Sequence, residues 1–275
     1  MTDSLGGARV ALLEARMESE LASLVRRHGG EPLCVPALRE VERECSDESA
    51  AAIDAAARPG ALVVLATGVG LARWLAVAES LARRDALRTA LASATVVCRG
   101  PKPVAVLKRE GLTAHVRAEP PHTTSELLAA LDAIDVTGRD AVFVHDGGAS
   151  RTVPDALRGR GARVAEVQPY GWALPADLQP LRDLCGAVAQ GRVDAVAFTT
   201  QIQAKHLFDV AERAGLRDAV ANAMRGRVLV AAVGPTCARA LEELGVPPHV
   251  VPAQGKMGAM VVALAEAMTT KGQGR

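Results

Sequence analysis

The chain has 275 residues, 49% of them hydrophobic and 23% charged, with 32 basic and 31 acidic side chains and a net charge of +1. That length and balance suit a folded protein with room for two ordinary domains and exclude a disordered chain. Without a basic excess, and with only three Phe, two Trp and one Tyr, a nucleic-acid surface or a base-stacking platform is not expected.

Arg9–Glu14 (RVALLE) predicts a first strand. Met17–Arg27 places Met17, Leu21, Leu24 and Val25 at a helical period and stops at Gly29-Gly30. Glu31–Pro36 predicts a strand that Pro32 and Pro36 confine to an edge or a linker. The charged run Glu40–Glu48 reads as a crossing between folded units. Ser49–Arg58 is an Ala-rich helix stopped by Pro59-Gly60. Ala61–Thr67 is a buried strand turning through Gly68-Val69-Gly70 into a helix to about Arg83. Asp85 is placed to cap a helix to Ser93.

Thr95–Gly111 follows as strand, Gly-Pro turn and helix, and Thr113–Ala118 as a short strand. Thr124 or Ser125 is the expected cap of a helix Glu126–Ile134. Asp140–His145 predicts a strand, Thr152–Arg160 a helix, and Ala162–Tyr170 extended chain. Pro169–Pro175 reads as the return crossing and holds Tyr170, the only tyrosine. Asp177 is placed to cap a helix to Gln190. Asp194–Thr200 predicts a strand, Gln201–Gly215 and Leu216–Arg225 helices, and Val228–Gly245 another strand–turn–helix. His249–Pro252 and Met257–Met268 are the last strand and helix.

The order is repetitive. Gly100-Pro101 and Gly111 stand as far apart as Gly234-Pro235 and Gly245. Leu62–Thr67 (LVVLAT) likewise matches Ala195–Thr200 (AVAFTT). Alternating strands and helices predict parallel βαβ units, here in two copies, so the fold class is α/β with two similar lobes. The first lobe is discontinuous, over residues 1–36 and 174–275. The second is inserted over 41–167, and 37–40 and 168–173 are linkers.

In open α/β sheets, ligands bind beyond the carboxyl ends of the strands. The loops there carry glycines, hydroxyls and helix N-termini: Thr67-Gly68-Val69-Gly70, Arg99-Gly100-Pro101-Lys102, His145-Asp146-Gly147-Gly148, Thr199-Thr200-Gln201 and Gly234-Pro235-Thr236. Backbone N–H groups at such positions bind oxyanions. Walker A, GxGxxG, GxSxG and HExxH motifs are absent from the sequence. The five cysteines (Cys34, Cys45, Cys98, Cys185, Cys237) lack zinc spacing and read as small buried hydrophobes. The six histidines are scattered, so no metal site is expected. His145 with Asp146 is a conceivable acid–base pair, but a strand-end histidine satisfied by backbone is the plainer reading. A cofactor-free protein binding an anionic ligand fits best. The N-terminus lacks a signal-peptide pattern and no apolar run reaches membrane-spanning length, so a cytoplasmic protein without a membrane partner is expected.

The paired strand–turn–helix units, the inserted lobe, the Phe198-Thr199-Thr200 and Gly234-Pro235-Thr236 turns with ARALEELG, and Tyr170 after a strand together resemble uroporphyrinogen-III synthase, over about residues 8–268. The resemblance implies flavodoxin-like lobes joined by a two-stranded linker. It implies a monomeric lyase of haem biosynthesis without cofactors, which closes hydroxymethylbilane to uroporphyrinogen III with loss of water and inversion of ring D. Porphobilinogen deaminase would be a transient partner. Tyr170 then assists departure of the hydroxyl group. Thr67, Gly68, Arg99, Gly100, Lys102, Thr199, Thr200, Gln201, Gly234, Thr236 and Arg16 are the expected substrate-binding positions. For the threonines simple helix capping is the alternative, and for Tyr170 a packing role in the linker. A non-catalytic tetrapyrrole or anion sensor is the competing function.

Overall fold

Strand β1 (Arg9–Leu12) sets the pattern for the whole chain: Val10, Ala11 and Leu12 are fully buried, as a parallel strand covered on both faces requires. The computed structural model describes residues 4–148 and 150–273. Helix α1 (Glu18–Arg27) follows and ends at Gly29, whose φ of +75° suits glycine. Strand β2 (Glu31–Cys34) pairs parallel to β1 and lies at its sheet's edge, where Pro32 costs no ladder bond.

The run expected as a charged crossing instead folds. It forms β3 (Arg39–Glu42) and the start of α2 (Ser46–Ala56). Its acids are used rather than solvated: Arg73 reaches Glu40 at 3.0 Å and Glu42 at 2.5 Å. Then come β4 (Leu62–Leu65), α3 (Gly68–Ser80), α4 (Arg84–Ser93), β5 (Thr95–Cys98), α5 (Pro101–Arg109) and β6 (Val116–Arg117). Asp85 lies inside the first turn of α4, and Arg83 holds the cap position. Helix α6 (Thr124–Asp132) is capped one residue earlier than expected. Thr123 accepts the Ser125 N–H, and Glu126 returns the bond to the Thr123 N–H at 2.8 Å, a capping box. Strand β7 (Asp140–Val144), helix α7 (Thr152–Gly159) and strand β8 (Arg163–Val167) complete a five-stranded parallel sheet in the order β6-β5-β4-β7-β8.

Strand β9 (Tyr170–Ala173) pairs with β3 in a two-stranded sheet. The chain continues through α8 (Gln179–Ala189), β10 (Ala195–Phe198), α9 (Gln201–Arg213), α10 (Arg217–Arg225), β11 (Leu229–Ala232), α11 (Pro235–Glu243) and α12 (Met257–Gln273). Leu178 holds the cap position of α8, although Asp177 still accepts the Gln179 N–H at 2.8 Å. The second sheet has the order β11-β10-β1-β2, all parallel. The strand expected at His249–Pro252 is reduced to one bridge between Ala231 and Val250. Prolines at 247, 248 and 252 leave too few N–H groups for a ladder.

Two compact units result. One holds the chain up to Arg39 and from Ala173 onward, the other Glu40–Trp172. Each sheet is covered on both faces. In the inserted unit Val63 and Leu65 pack with Trp74, Leu87 and Leu107, while Leu62 and Val64 pack with Leu127, Leu131 and Leu157. In the other, Ala11 and Leu13 face Leu184, Leu207 and Leu241, while Val10 and Leu12 face Leu21 and Leu264. Burying each Leu or Val of these strands contributes about 1.5–3 kcal/mol. With so few aromatics, stability rests on many small aliphatic contacts. No helix of the described residues is long and apolar enough to cross a membrane.

Candidate active site

The inserted unit gathers three loops at the carboxyl ends of β4, β5 and β7. Thr67 caps α3 in an extended conformation, its Oγ1 accepting the Gly70 N–H at 2.9 Å. Gly68 and Gly70 are there for closeness. A Cβ on Gly68 would lie 2.8 Å from the Lys102 carbonyl oxygen, and one on Gly70 2.7 Å from that of His145. Gly100 caps α5 without a side chain, and Pro101 begins that helix where its missing N–H is harmless. The first-turn N–H groups of α3 and α5 thus carry the partial positive charge of two helix ends. Lys102 is exposed on the first turn of α5. Arg99 does not stand alone: its Nη1 lies 2.9 Å from Asp146 Oδ2.

Tyr170, at the start of β9, is 1% exposed. Its hydroxyl lies 3.2 Å from Thr67 Oγ1. Trp172 meets the phenol edge-on at 5.5 Å and donates from Nε1 to the Asp146 carbonyl at 3.3 Å. His145 pairs neither with Asp146 nor with backbone through Nε2. That nitrogen lies 2.7 Å from Glu166, which pairs with Phe143 two residues earlier on β7, and Arg158 holds the other Glu166 oxygen at 2.6 Å. Burial works to raise the Glu166 carboxyl, but the hydrogen bonds from Arg158 and His145 outweigh it and hold the group below its ordinary range. A small pocket of about 20 Å³ opens among these loops and α6, lined by Ala66, Arg99, Thr124, Phe143, His145 and Asp146 among others.

The other unit repeats the plan with different side chains. Thr200 caps α9 with nearly the backbone angles of Thr67, and accepts the Gln203 N–H at 3.4 Å. Gln203, 1% exposed, accepts the Thr199 N–H at 2.8 Å and donates to Glu14 at 3.2 Å. Thr199 also donates its hydroxyl to Glu14. The other Glu14 oxygen accepts the backbone N–H of Arg16 at 3.1 Å. Gln201 is the first residue of α9. Gly234 caps α11, and Thr236 is exposed on its first turn.

The expected positions therefore fall into two sets. Thr67, Gly68, Arg99, Gly100, Lys102 and Tyr170 lie together in the inserted unit. Arg16, Thr199, Thr200, Gln201, Gly234 and Thr236 lie at the strand ends of the other. Sequence reasoning passed over Glu14, Gln203 and Trp172. The Thr200-x-x-Gln203 capping box was a visible signal for Gln203; nothing in the sequence marks Glu14 or Trp172 as a partner. Among the described residues no group of three or more His, Cys, Asp or Glu could hold a metal ion. Burial pushes the thiols of Cys98 and Cys237 up to about 12, and those of Cys45 and Cys185 to about 11, so none is a ready nucleophile at neutral pH.

Residues 19–262 match the family model described as uroporphyrinogen-III synthase HemD. The chain belongs to the uroporphyrinogen-III synthase family. It is 31% identical to an uncharacterized protein, YjjA, of Bacillus subtilis, over 97% of this chain and 98% of that one. It is 29% identical to a putative uroporphyrinogen-III synthase of Methanothermobacter thermautotrophicus, over 91% and 94%. Among solved structures, a mutant uroporphyrinogen III synthase from Thermus thermophilus superposes with a TM-score of 0.78 at 29% identity, covering 96% of this chain and 99% of that one. The Helicobacter pylori uroporphyrinogen-III synthetase, at 11% identity and a TM-score of 0.53 over 96% and 99%, shares the fold. The two parallel-sheet units with a two-stranded sheet between them in the chain are the synthase family's architecture.

Proposed function

We propose that this chain is a uroporphyrinogen-III synthase, closing hydroxymethylbilane with loss of water and inversion of ring D, as a cytoplasmic monomer without a cofactor. The observation that carries the reading is the pair of hydroxyls, Tyr170 and Thr67, 3.2 Å apart at the strand ends of the inserted unit. Thr67 Oγ1 already accepts the Gly70 N–H. In the substrate-bound state we assign Tyr170 as the donor to an outside acceptor, with Thr67 donating to the phenolic oxygen. That acceptor is the substrate's hydroxyl group. As its C–O bond breaks, the oxygen takes the proton and leaves as water. The cation left behind is attacked by the already substituted carbon of ring D, giving a spirocyclic intermediate. The bond from that carbon to the ring C methylene then breaks, the methylene bonds to the free carbon of ring D, and the proton on that carbon is lost to solvent.

Tyr170 is covered in this conformation, so access to its hydroxyl requires a movement that uncovers it. Within the inserted unit, the helix N-termini of α3 and α5 suit carboxylates of an anionic substrate. Arg99, half-neutralised by Asp146, and the exposed Lys102 add positive charge. Uncatalysed closure gives the uninverted isomer, and each tenfold bias towards inversion needs only about 1.4 kcal/mol, within reach of positioning. Two variants test the reading. Tyr170→Phe should slow substrate consumption about 100-fold, a general-acid-sized loss, with unchanged melting. Thr67→Val should slow it less. Full turnover by a folded Tyr170→Phe protein would remove Tyr170 from the mechanism.

A further inference from the structure

Tyr170 is held from a side that the reaction does not use. Gly147 adopts φ +84° directly against the two rings of β9. A Cβ there would lie 2.6 Å from Tyr170 Cε2 and 2.7 Å from Trp172 Nε1. Trp172 closes the contact by donating to the Asp146 carbonyl and by meeting the phenol at an interplanar angle of 85°. The loop they lean on is itself fixed. The His145 N–H donates to the Val167 carbonyl at 2.9 Å, and the Asp146 carboxylate holds Arg99.

We infer that Trp172 and Gly147 are positioning residues, which fix the Tyr170 ring so that its hydroxyl stays against Thr67 and its proton points to the departing group. Neither touches the reacting atoms. Residues 170 and 172 share one face of a strand, because side chains alternate along it. One ring can therefore brace the other. Only glycine lets the loop come this close at positive φ. A phenol free to tilt would still leave the helix N-termini and Lys102 in place to bind substrate. It would lose the aligned geometry that a proton donor needs.

The inference rests on the proposed role of Tyr170, and the experiment separates the two. Kinetics are compared for the parent, Trp172→Phe, Tyr170→Phe and the double variant, with melting followed in each. Trp172→Phe keeps an aromatic edge but removes the N–H. It should lower kcat about tenfold or more at nearly unchanged KM, the mark of an interaction that matters in the transition state. In the Tyr170→Phe background the same change should add almost nothing, because both act through one hydroxyl. Gly147→Ala should lower kcat in the same way; should it fail to fold, Trp172→Phe decides. Full turnover by a folded Trp172→Phe protein would overturn the inference and leave the function standing, as would an undiminished Trp172→Phe effect in the double variant. Full turnover by Tyr170→Phe would overturn both.

Discussion

The two units carry one scaffold and two ways of filling it. Register equates Thr67 with Thr200, Gly68 with Gln201 and Gly70 with Gln203, and sets His145 opposite the place of Glu14. In the inserted unit the helix begins with glycines, and backbone packs close to backbone: a Cβ on Gly70 would lie 2.7 Å from the His145 carbonyl oxygen. In the other unit a glutamine fills that space and bridges Thr199 to the Glu14 carboxylate. The Gly-Pro turns differ too. A Cβ on Gly100 would meet His122 at 3.3 Å, whereas one on Gly234 would meet nothing closer than Gly255 at 3.8 Å. The tight unit holds Tyr170, the residue proposed as the proton donor. The other leaves the α11 end more open. Duplicated folds can divide labour in this way without changing topology.

The comparison can be broken or sharpened by substitution. The largest expected effect is the roughly 100-fold loss in Tyr170→Phe, against a much smaller loss for Thr200→Ala, whose hydroxyl caps α9. Gly70→Ala comes next. The added carbon meets a carbonyl that cannot move aside, so unfolding titrations should show a loss of about 1–3 kcal/mol. The counterpart Gln203→Ala should cost a similar or slightly smaller amount, about 1–3 kcal/mol, by leaving buried groups of Thr199 and Glu14 without a partner. Equal tolerance of alanine at 70 and at a glycine as open as Gly234 would undo the distinction between the units.

The smallest effect concerns acid. The Asp140 carboxyl is held below its ordinary range, chiefly by the hydrogen bond from Arg163, against the opposing effect of burial and with further help from Arg58. A carboxyl lowered in the folded state stabilises above the unfolded value of about 3.9 and loses that contribution as pH falls through its folded value. Both arginines are largely exposed, so Asp140→Asn should cost about 1 kcal/mol near neutrality. The gap between variant and parent in thermal melts should close in strong acid. Unchanged spacing of the two melting curves down to pH 2 would contradict it.

Much of the fold was legible because apolar runs bounded by glycine and proline are local signals. For Glu31–Pro36 the two prolines left an edge or a linker, and the strand lies at the edge. The errors came where tertiary partners override local chemistry. The charged run that reads as a crossing also forms a strand, with Arg73 paired to Glu40 and Glu42. Val250 sits among apolar neighbours, yet the surrounding prolines remove the ladder. At the site, the hydroxyl and glycine positions could be read from the repeat. The partnerships of Tyr170 with Thr67, of His145 with Glu166 and of Glu14 with Gln203 span 103, 21 and 189 residues, and no local pattern announces such pairs.

The most direct test of the central claim is the identity of the product. Hydroxymethylbilane is generated in place by porphobilinogen deaminase, this protein is added, and the oxidised uroporphyrin isomers are separated. The expected result is predominantly isomer III at a rate that rises with the amount of this protein. Isomer I alone, from a demonstrably folded chain, would contradict the synthase reading and favour a tetrapyrrole-binding sensor.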